Sequence, residues 1–276
     1  MYSKEKILET LKDIKETSKV IKPYVVVAQP RRVEDETPAQ DFQSITGIGA
    51  EHVDLHGFSH GYCNVYGEKV DVARNYLIEQ VLESDAKYMF FIGEDTVVPY
   101  HAFKTLHKTA EENPDSIIVG VYYIKLGDPM IMVKEKDWIV VPNCDPGQLF
   151  PVHMCGMDCM LIPTSVLKKL KDIDSDLPFC CIYSGGDQTG EKLPFIGEDN
   201  FFMHRVHKMG IKVLCNTDVQ CLHMDLATGK YTAHPNVDLN DYKTLIKPTT
   251  ILKEEDREFI DKRWHDRLPK NDIQYE

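Results

Sequence analysis

The succession of apolar runs predicts an α/β fold in which a mainly parallel sheet is covered by helices. Two observations carry this. Short β-branched or aromatic runs alternate with amphipathic segments of helical period from residue 24 to residue 123, in the order β-α-β-α-β. The chain is also long enough, at 276 residues with 42% apolar and 28% charged residues, for one large domain with an ordinary core. A chain of this size buries roughly 75% of its unfolded surface and needs no disulfide framework to fold.

The elements follow in order. Residues 3 to 19 place Ile7, Leu8, Leu11 and Ile14 on one face of an amphipathic helix, and Pro23 closes that segment. Tyr24-Val25-Val26-Val27-Ala28 reads as a buried strand. Residues 30 to 69 are polar and contain glycines, with no firm periodicity. Residues 71 to 83 read as a helix with Ala73, Tyr76, Leu77, Val81 and Leu82 toward the core, and residues 88 to 92 as the next strand. Pro99 opens a helix carrying Phe103, Leu106 and Ala110, which Asn113-Pro114-Asp115 interrupts before a strand at 116 to 123.

From 130 to 162 the pattern changes to short strands and turns (MIMV, WIVV, MDCMLI). Thr164-Ser165 caps a helix bearing Val166, Leu167 and Leu170. A Gly-, Asp- and Pro-containing loop spans 173 to 194. Gly197-Glu198-Asp199 then opens a helix that Gly210 stops, and strands are expected at 211–215 and 219–223. A terminal helix is expected over 254–265. The layout is an N-terminal helix (1–22), one α/β domain (23–225) and a C-terminal tail (226–276).

Composition narrows the function. The formal net charge of −12 argues against a large phosphate-binding face. No apolar run reaches the ~20 residues of a membrane-spanning helix, and the N-terminus lacks the apolar stretch of a secretory leader. The eight cysteines are scattered, several within apolar runs, as expected of buried thiols in a reducing compartment, the cytoplasm or a virus's host cytoplasm.

Three clusters fall at expected strand ends or helix starts. Gly93-Glu94-Asp95 follows a buried strand, where open α/β sheets collect their ligands. Carboxylates there suit a hard cation such as Mg²⁺ or Mn²⁺, and equally suit a solvated turn. Gly197-Glu198-Asp199-Asn200 opens a helix whose positive end favours an ionised carboxylate, placed either for base chemistry or for simple capping. His223 ends the apolar run Val219-Gln220-Cys221-Leu222; a lone histidine there is more commonly a packed residue than a ligand. His52, His56 and His60 have helical metal-site spacing, but the nearby glycines favour a loop. The sequence has no glycine-rich phosphate loop.

Taken together, the clusters resemble a known family. VDVARNYLIEQVLESDAKYMFFIGEDTVVP is similar to the first half of metal-dependent, nucleotide-sugar-using glycosyltransferases of the GT-A fold, near the family 2 group. GEDNFFMHRVHKMGIKVLCNTDVQCLHMD looks like their second half, with MCGMDCMLIPTSVLKKL resembling the central small-residue strand between. The resemblance spans roughly residues 23 to 225 and implies a mixed, mainly parallel sheet flanked by helices, a nucleotide diphosphate-sugar donor and Mn²⁺ or Mg²⁺. It implies Asp95 and His223 as metal ligands, Asp199 as the base of an inverting reaction, and Glu198 as an orienting acid. Arg74 and Asn75 would lie near the donor, with Glu94 and Pro30 also at its site. Gly93 departs from the family pattern, standing where the first aspartate of Asp-x-Asp is usual, and Glu94 is one candidate to compensate.

The acceptor implied is a hydroxyl of a glycan, lipid-linked precursor or other molecule. A hydroxylated base in viral DNA is the less favoured choice, given the acidic charge. Two further readings stand beside this one: a nucleotidyltransferase, against which QPRRVEDE carries no glycine, and a non-catalytic binding module on a decayed fold.

Overall fold

The structure is a computed structural model that describes residues 22–31, 53–123, 128–134, 138–141, 144–173, 177–182, 197–225, 230–234, 237 and 242. The helices expected at 3–19 and 254–265 lie outside the described residues, as does His52.

Strand β1 (Val25–Arg31) is followed by β2 (His60–Tyr66), helix α1 (Val70–Glu83), β3 (Tyr88–Ile92), β4 (Thr96–Val97) and α2 (Ala102–Glu112). Next come β5 (Ile117–Val121), β6 (Ile131–Lys134), β7 (Trp138–Val140), β8 (Leu149–Pro151), β9 (Met154–Cys155) and β10 (Cys159–Pro163). Helices α3 (Thr164–Ile173) and α4 (Glu198–Lys208) precede β11 (Val213–Gln220), β12 (Leu222–Asp225) and β13 (Lys230–Thr232).

The main sheet has seven strands in the order β2-β1-β3-β10-β5-β11-β8. Strands β2, β1, β3, β5 and β11 run one way, while β10 and β8 run against them. The sheet is therefore mixed. Its antiparallel intruder, β10, sits at the centre between β3 and β5. Five of the sheet's seven strands share one direction, as a mixed, mainly parallel sheet implies, and both of β10's pairings are antiparallel.

Side-chain alternation along the strands divides the core into two layers. Val26, Ala28, Met89 and Phe91 pack with α1, α3 and α4 through Leu77, Leu167 and Phe202. Val25, Val27, Phe90 and Ile92 face the other way and pack with α2 through Phe103 and Leu106. Burial of these strands on both faces explains their nearly continuous apolar sequence.

Strand β2 was not evident in the sequence, and its burial pattern explains why. The positions facing outward carry His60, Tyr62, Asn64 and Tyr66, while Gly61, Cys63 and Val65 face inward, half-buried. Hydrophobicity therefore does not mark its inner face. Parallel pairing with β1 along its whole length supplies the order that the side chains do not advertise. The two strands expected at 211–215 and 219–223 are one strand, β11, whose pairing with β5 is irregular between Cys215 and Gln220, followed by β12.

Two small sheets complete the unit, β13-β12-β4 and β7-β6-β9. Tyr231 and Tyr242 are buried against Val97, Leu222 and Met224, and the Tyr242 hydroxyl donates to the Gln220 carbonyl. The packed unit thus continues past residue 225. Among the described residues, no helix is long and apolar enough to cross a membrane.

Packing is tight where β5 meets β11 and β10. A Cβ at Gly120 would lie 2.7 Å from Val219 Cγ1 and 2.8 Å from Cys159 Sγ. Gly120→Ala is expected to destabilise the fold by about 1–3 kcal/mol through overpacking, read as a lower midpoint in urea denaturation.

Candidate metal centre and active-site cleft

Strand β3 delivers Gly93, Glu94 and Asp95 to the edge of the core, and the chain then enters β4 rather than a helix. Strand β4 pairs antiparallel with β12, in a register that sets His223 opposite Thr96. The Met224 amide donates to the Asp95 carbonyl at 2.7 Å, fixing the two segments at the site itself. As a result His223 Nε2 lies 3.4 Å from Asp95 Oδ2. The other ring nitrogen, Nδ1, is 3.0 Å from the Tyr123 carbonyl oxygen. A carbonyl only accepts, so Nδ1 carries the hydrogen, and Nε2 faces Asp95 either protonated and ion-paired with it or with its lone pair open to a cation. An imidazole lone pair facing a carboxylate is a repulsive pair unless a proton or a cation lies between them.

A third acid joins them that sequence reasoning missed. Asp158 immediately precedes β10, whose antiparallel pairing sets Cys159 opposite Ile92. The Gly93 amide donates to the Asp158 carbonyl at 3.0 Å. Ligand atoms of Asp95, Asp158 and His223 all lie within 4.8 Å of one another. Two carboxylate oxygens and an imidazole with its second nitrogen tied to a carbonyl make a donor set that fits Mn²⁺ or Mg²⁺. Glu94 lines the cleft but is not one of that group. The sequence signal for Asp158 was an acid opening an otherwise apolar strand, MDCMLI. It could not be weighed without knowing which strand β10 would join.

Arg74, on α1, lies beneath the cluster. Its Nη1 donates to Glu198 Oε1 at 2.7 Å and its Nη2 to Asp158 Oδ1 at 3.3 Å, and the side chain is 6% exposed. The guanidinium also lies over the Phe91 ring, 5.4 Å from its centroid. Burial disfavours its charge, but Asp158 and Glu198 outweigh that, and its pKa is raised. Both Nη groups are therefore committed to protein carboxylates, and Arg74 lines the cleft that they share. Asn75 points elsewhere. Its Nδ2 donates to the Asp71 and Cys180 carbonyls at 2.8 and 2.7 Å, and its Oδ1 accepts from the Cys180 amide at 3.0 Å. It fastens the segment around residue 180 to α1 and is not among the residues that line that cleft.

Helix α4 begins at Glu198, with Gly197 before it providing no side-chain cap. Asp199 Oδ1 accepts from the Asn200 amide at 2.7 Å. Burial raises the Asp199 pKa above the ordinary carboxylate value despite Arg74 nearby, so the helix-end field that favours ionisation is the smaller effect. Asp158 is likewise raised, first by burial and then by Asp95, with Arg74, His223 and a hydrogen bond from Tyr122 acting against the rise. Tyr122 is pushed well above its usual value by burial, with Asp158 and Asp199 adding to the shift, so its hydroxyl stays protonated and donates.

Arg74, Asp95, Asp158, Glu198 and Asp199 share one cleft of about 240 Å³. Pro30 and Arg31, from the end of β1, line it as well. Arg31 Nε donates to Gln29 Oε1 at 3.0 Å, and Gln29 Nε2 donates to the Gly93 carbonyl at 3.2 Å, tying β1 to the acidic turn. His60, from the histidine trio, instead bonds the Phe58 carbonyl through Nδ1 at 3.0 Å.

No protein-family model matches the chain, and no curated protein matches it in sequence. Among solved structures, the crystal structure of A197 from STIV is similar over 77% of this chain and 95% of its own, at 18% identity and a TM-score of 0.47. A likeness of that degree establishes neither family nor activity.

Two outcomes follow from the buried charges. Arg74→Ala leaves Asp158 and Glu198 without their cation and is expected to cost about 3–5 kcal/mol in chemical denaturation. For Asp199, a raised folded pKa means the native state holds a proton that the unfolded chain gives up near pH 3.8. Its contribution to stability is greatest below that pH and is lost as pH rises through the folded value. Asp199→Asn should therefore exceed the parent protein in urea midpoint at neutral pH, and the difference should shrink as pH falls toward 3.8.

Proposed function

We propose that this chain is a metal-dependent glycosyltransferase of GT-A type, moving a sugar from a nucleotide diphosphate-sugar to an acceptor hydroxyl. The observation that carries the reading is convergence. The Asp95, Asp158 and His223 ligand atoms lie together, and Asp95 and Asp158 share their cleft with Asp199 at the start of α4. The ends of β1 and β3 form the floor of that cleft, where open α/β sheets receive ligands. The central strand that opens with Asp158, the Glu-Asp helix start and the histidine of β12 occur in the order the sequence resemblance implies.

In this reading Asp95, Asp158 and His223 hold Mn²⁺ or Mg²⁺, which would neutralise charge on the departing diphosphate. Asp199 accepts the proton of the attacking acceptor hydroxyl at a carboxylate oxygen. Its burial suits that role, because a carboxylate with a raised pKa is a stronger base than one in water. Glu198 is held by Arg74 at 2.7 Å and orients acceptor or sugar hydroxyls beside it. The cleft acids are largely buried, so a donor seated over them would leave little room for water to compete with the acceptor. Inversion at the anomeric carbon follows from a base acting on the attacking hydroxyl with no protein nucleophile.

The test is a panel of UDP-, GDP-, CDP- and dTDP-sugars with and without Mn²⁺, followed for release of nucleoside diphosphate. One donor should turn over, only with metal. Asp199→Asn should lower that rate by about 10²- to 10⁴-fold, the range typical of losing a general base. It should leave the thermal shift produced by Mn²⁺ and the matching nucleoside diphosphate in place. Metal-independent turnover, or full activity in Asp199→Asn, would overturn the assignment.

A further inference from the structure

The residue at position 93 is glycine, and the space beside it is occupied. A Cβ built on Gly93 would lie 2.5 Å from Asp158 Oδ1, 2.6 Å from its Cγ and 2.9 Å from its Cβ. The whole head of the Asp158 side chain therefore fills the volume that a side chain on residue 93 would need. The backbones of the two residues are hydrogen-bonded at 3.0 Å, so neither can retreat from the other.

The seat is cleared from a second side as well. A Cβ on Gly156 would fall 1.5 Å from the Tyr122 hydroxyl, which bonds to Asp158. Arg74 holds the third side at 3.3 Å. Two glycines, one phenol and one guanidinium thus surround a single carboxylate, one oxygen of which lies within 4.8 Å of ligand atoms of Asp95 and His223.

The geometry points to a relocated ligand: Asp158, at the start of the antiparallel central strand, supplies the metal carboxylate that the turn after β3 would otherwise carry at residue 93, and the glycine there exists to admit it. This rests on the metal reading of the cleft given above. It makes a statement that reading does not: positions 93 and 158 compete for one ligand place, so exactly one of them can carry the acid. A side chain at 93 and the carboxylate at 158 are mutually exclusive, and Gly93 is as necessary to the site as the ligands themselves.

The experiment titrates Mn²⁺ alone into the full chain and counts unbound ion by electron paramagnetic resonance. The variants are Asp95→Asn, Asp158→Asn, Gly93→Ala and the exchange Gly93→Asp/Asp158→Gly, each checked for a cooperative thermal melt. Asp158→Asn should weaken Mn²⁺ by more than about ten-fold, a loss typical even of outer-shell partners. Gly93→Ala should weaken it comparably although alanine removes no ligand, and the exchange variant should regain most of the affinity lost in Asp158→Asn. If Asp95→Asn loses Mn²⁺ while Asp158→Asn and Gly93→Ala bind like the parent, the relocation is wrong and the metal reading stands for Asp95 and His223 without Asp158. A parent chain that binds no Mn²⁺ overturns the metal reading itself, and the relocation with it. A folded exchange variant no better than Asp158→Asn refutes the equivalence of the two positions. Should the exchange variant not melt cooperatively, Asp158→Asn and Gly93→Ala against Asp95→Asn decide the matter alone.

Discussion

The buried guanidinium of Arg74 is the interaction on which the rest of the cleft depends. Carboxylates brought together away from water repel one another and lose hydration, and without a fixed cation they would protonate or move apart. Arg74 bridges Asp158, from the central strand, and Glu198, from the start of α4. It thereby joins the side of the cleft that gathers ligand atoms to the side that carries Asp199. The guanidinium is itself held by packing on Phe91 in the core. Charge and packing are therefore coupled: the acids are positioned by a cation whose own place is set by a strand.

The antiparallel course of β10 is the second determinant. Had the central strand run with its neighbours, its first residue would lie at the far end of the sheet. Because it runs against β3 and β5, its beginning lies beside their carboxyl ends, where Gly93 and Asp95 emerge. One reversal of direction converts a core strand into a donor of site chemistry. The register of β4 with β12 does the same for His223, which becomes the neighbour of Asp95 through two backbone pairings.

Burial then gives the two aspartates their chemical character. Asp158 and Asp199 are both shifted upward by desolvation. Such a shift costs stability at neutral pH, and it is a cost that cation binding at Asp158 and proton transfer at Asp199 would each recover in function. The surrounding structure sustains that strain through rigid strands on one side and a helix start on the other, leaving the acids little freedom to relax.

The residues alone determined the α/β class, nearly all the core strands and helices, and the acids at 94, 95, 198 and 199, because local periodicity and strand-end position are written in neighbouring residues. Strand β2 escaped, since its inward residues are glycine, cysteine and valine and its outward ones include two tyrosines. Asp158 escaped for a different reason. Its importance lies in strand order and direction, which arise from pairing between segments distant in the chain and leave no local pattern. Arg74 and Asn75 form one dipeptide on one helix, yet the first bridges two acids of the cleft and the second fastens a loop. Successive helical residues point about 100° apart, and only the tertiary contacts on each side decided which became which. Gly93 looked like a gap in a motif; across the sheet, the Asp158 carboxylate fills the space that a side chain there would occupy.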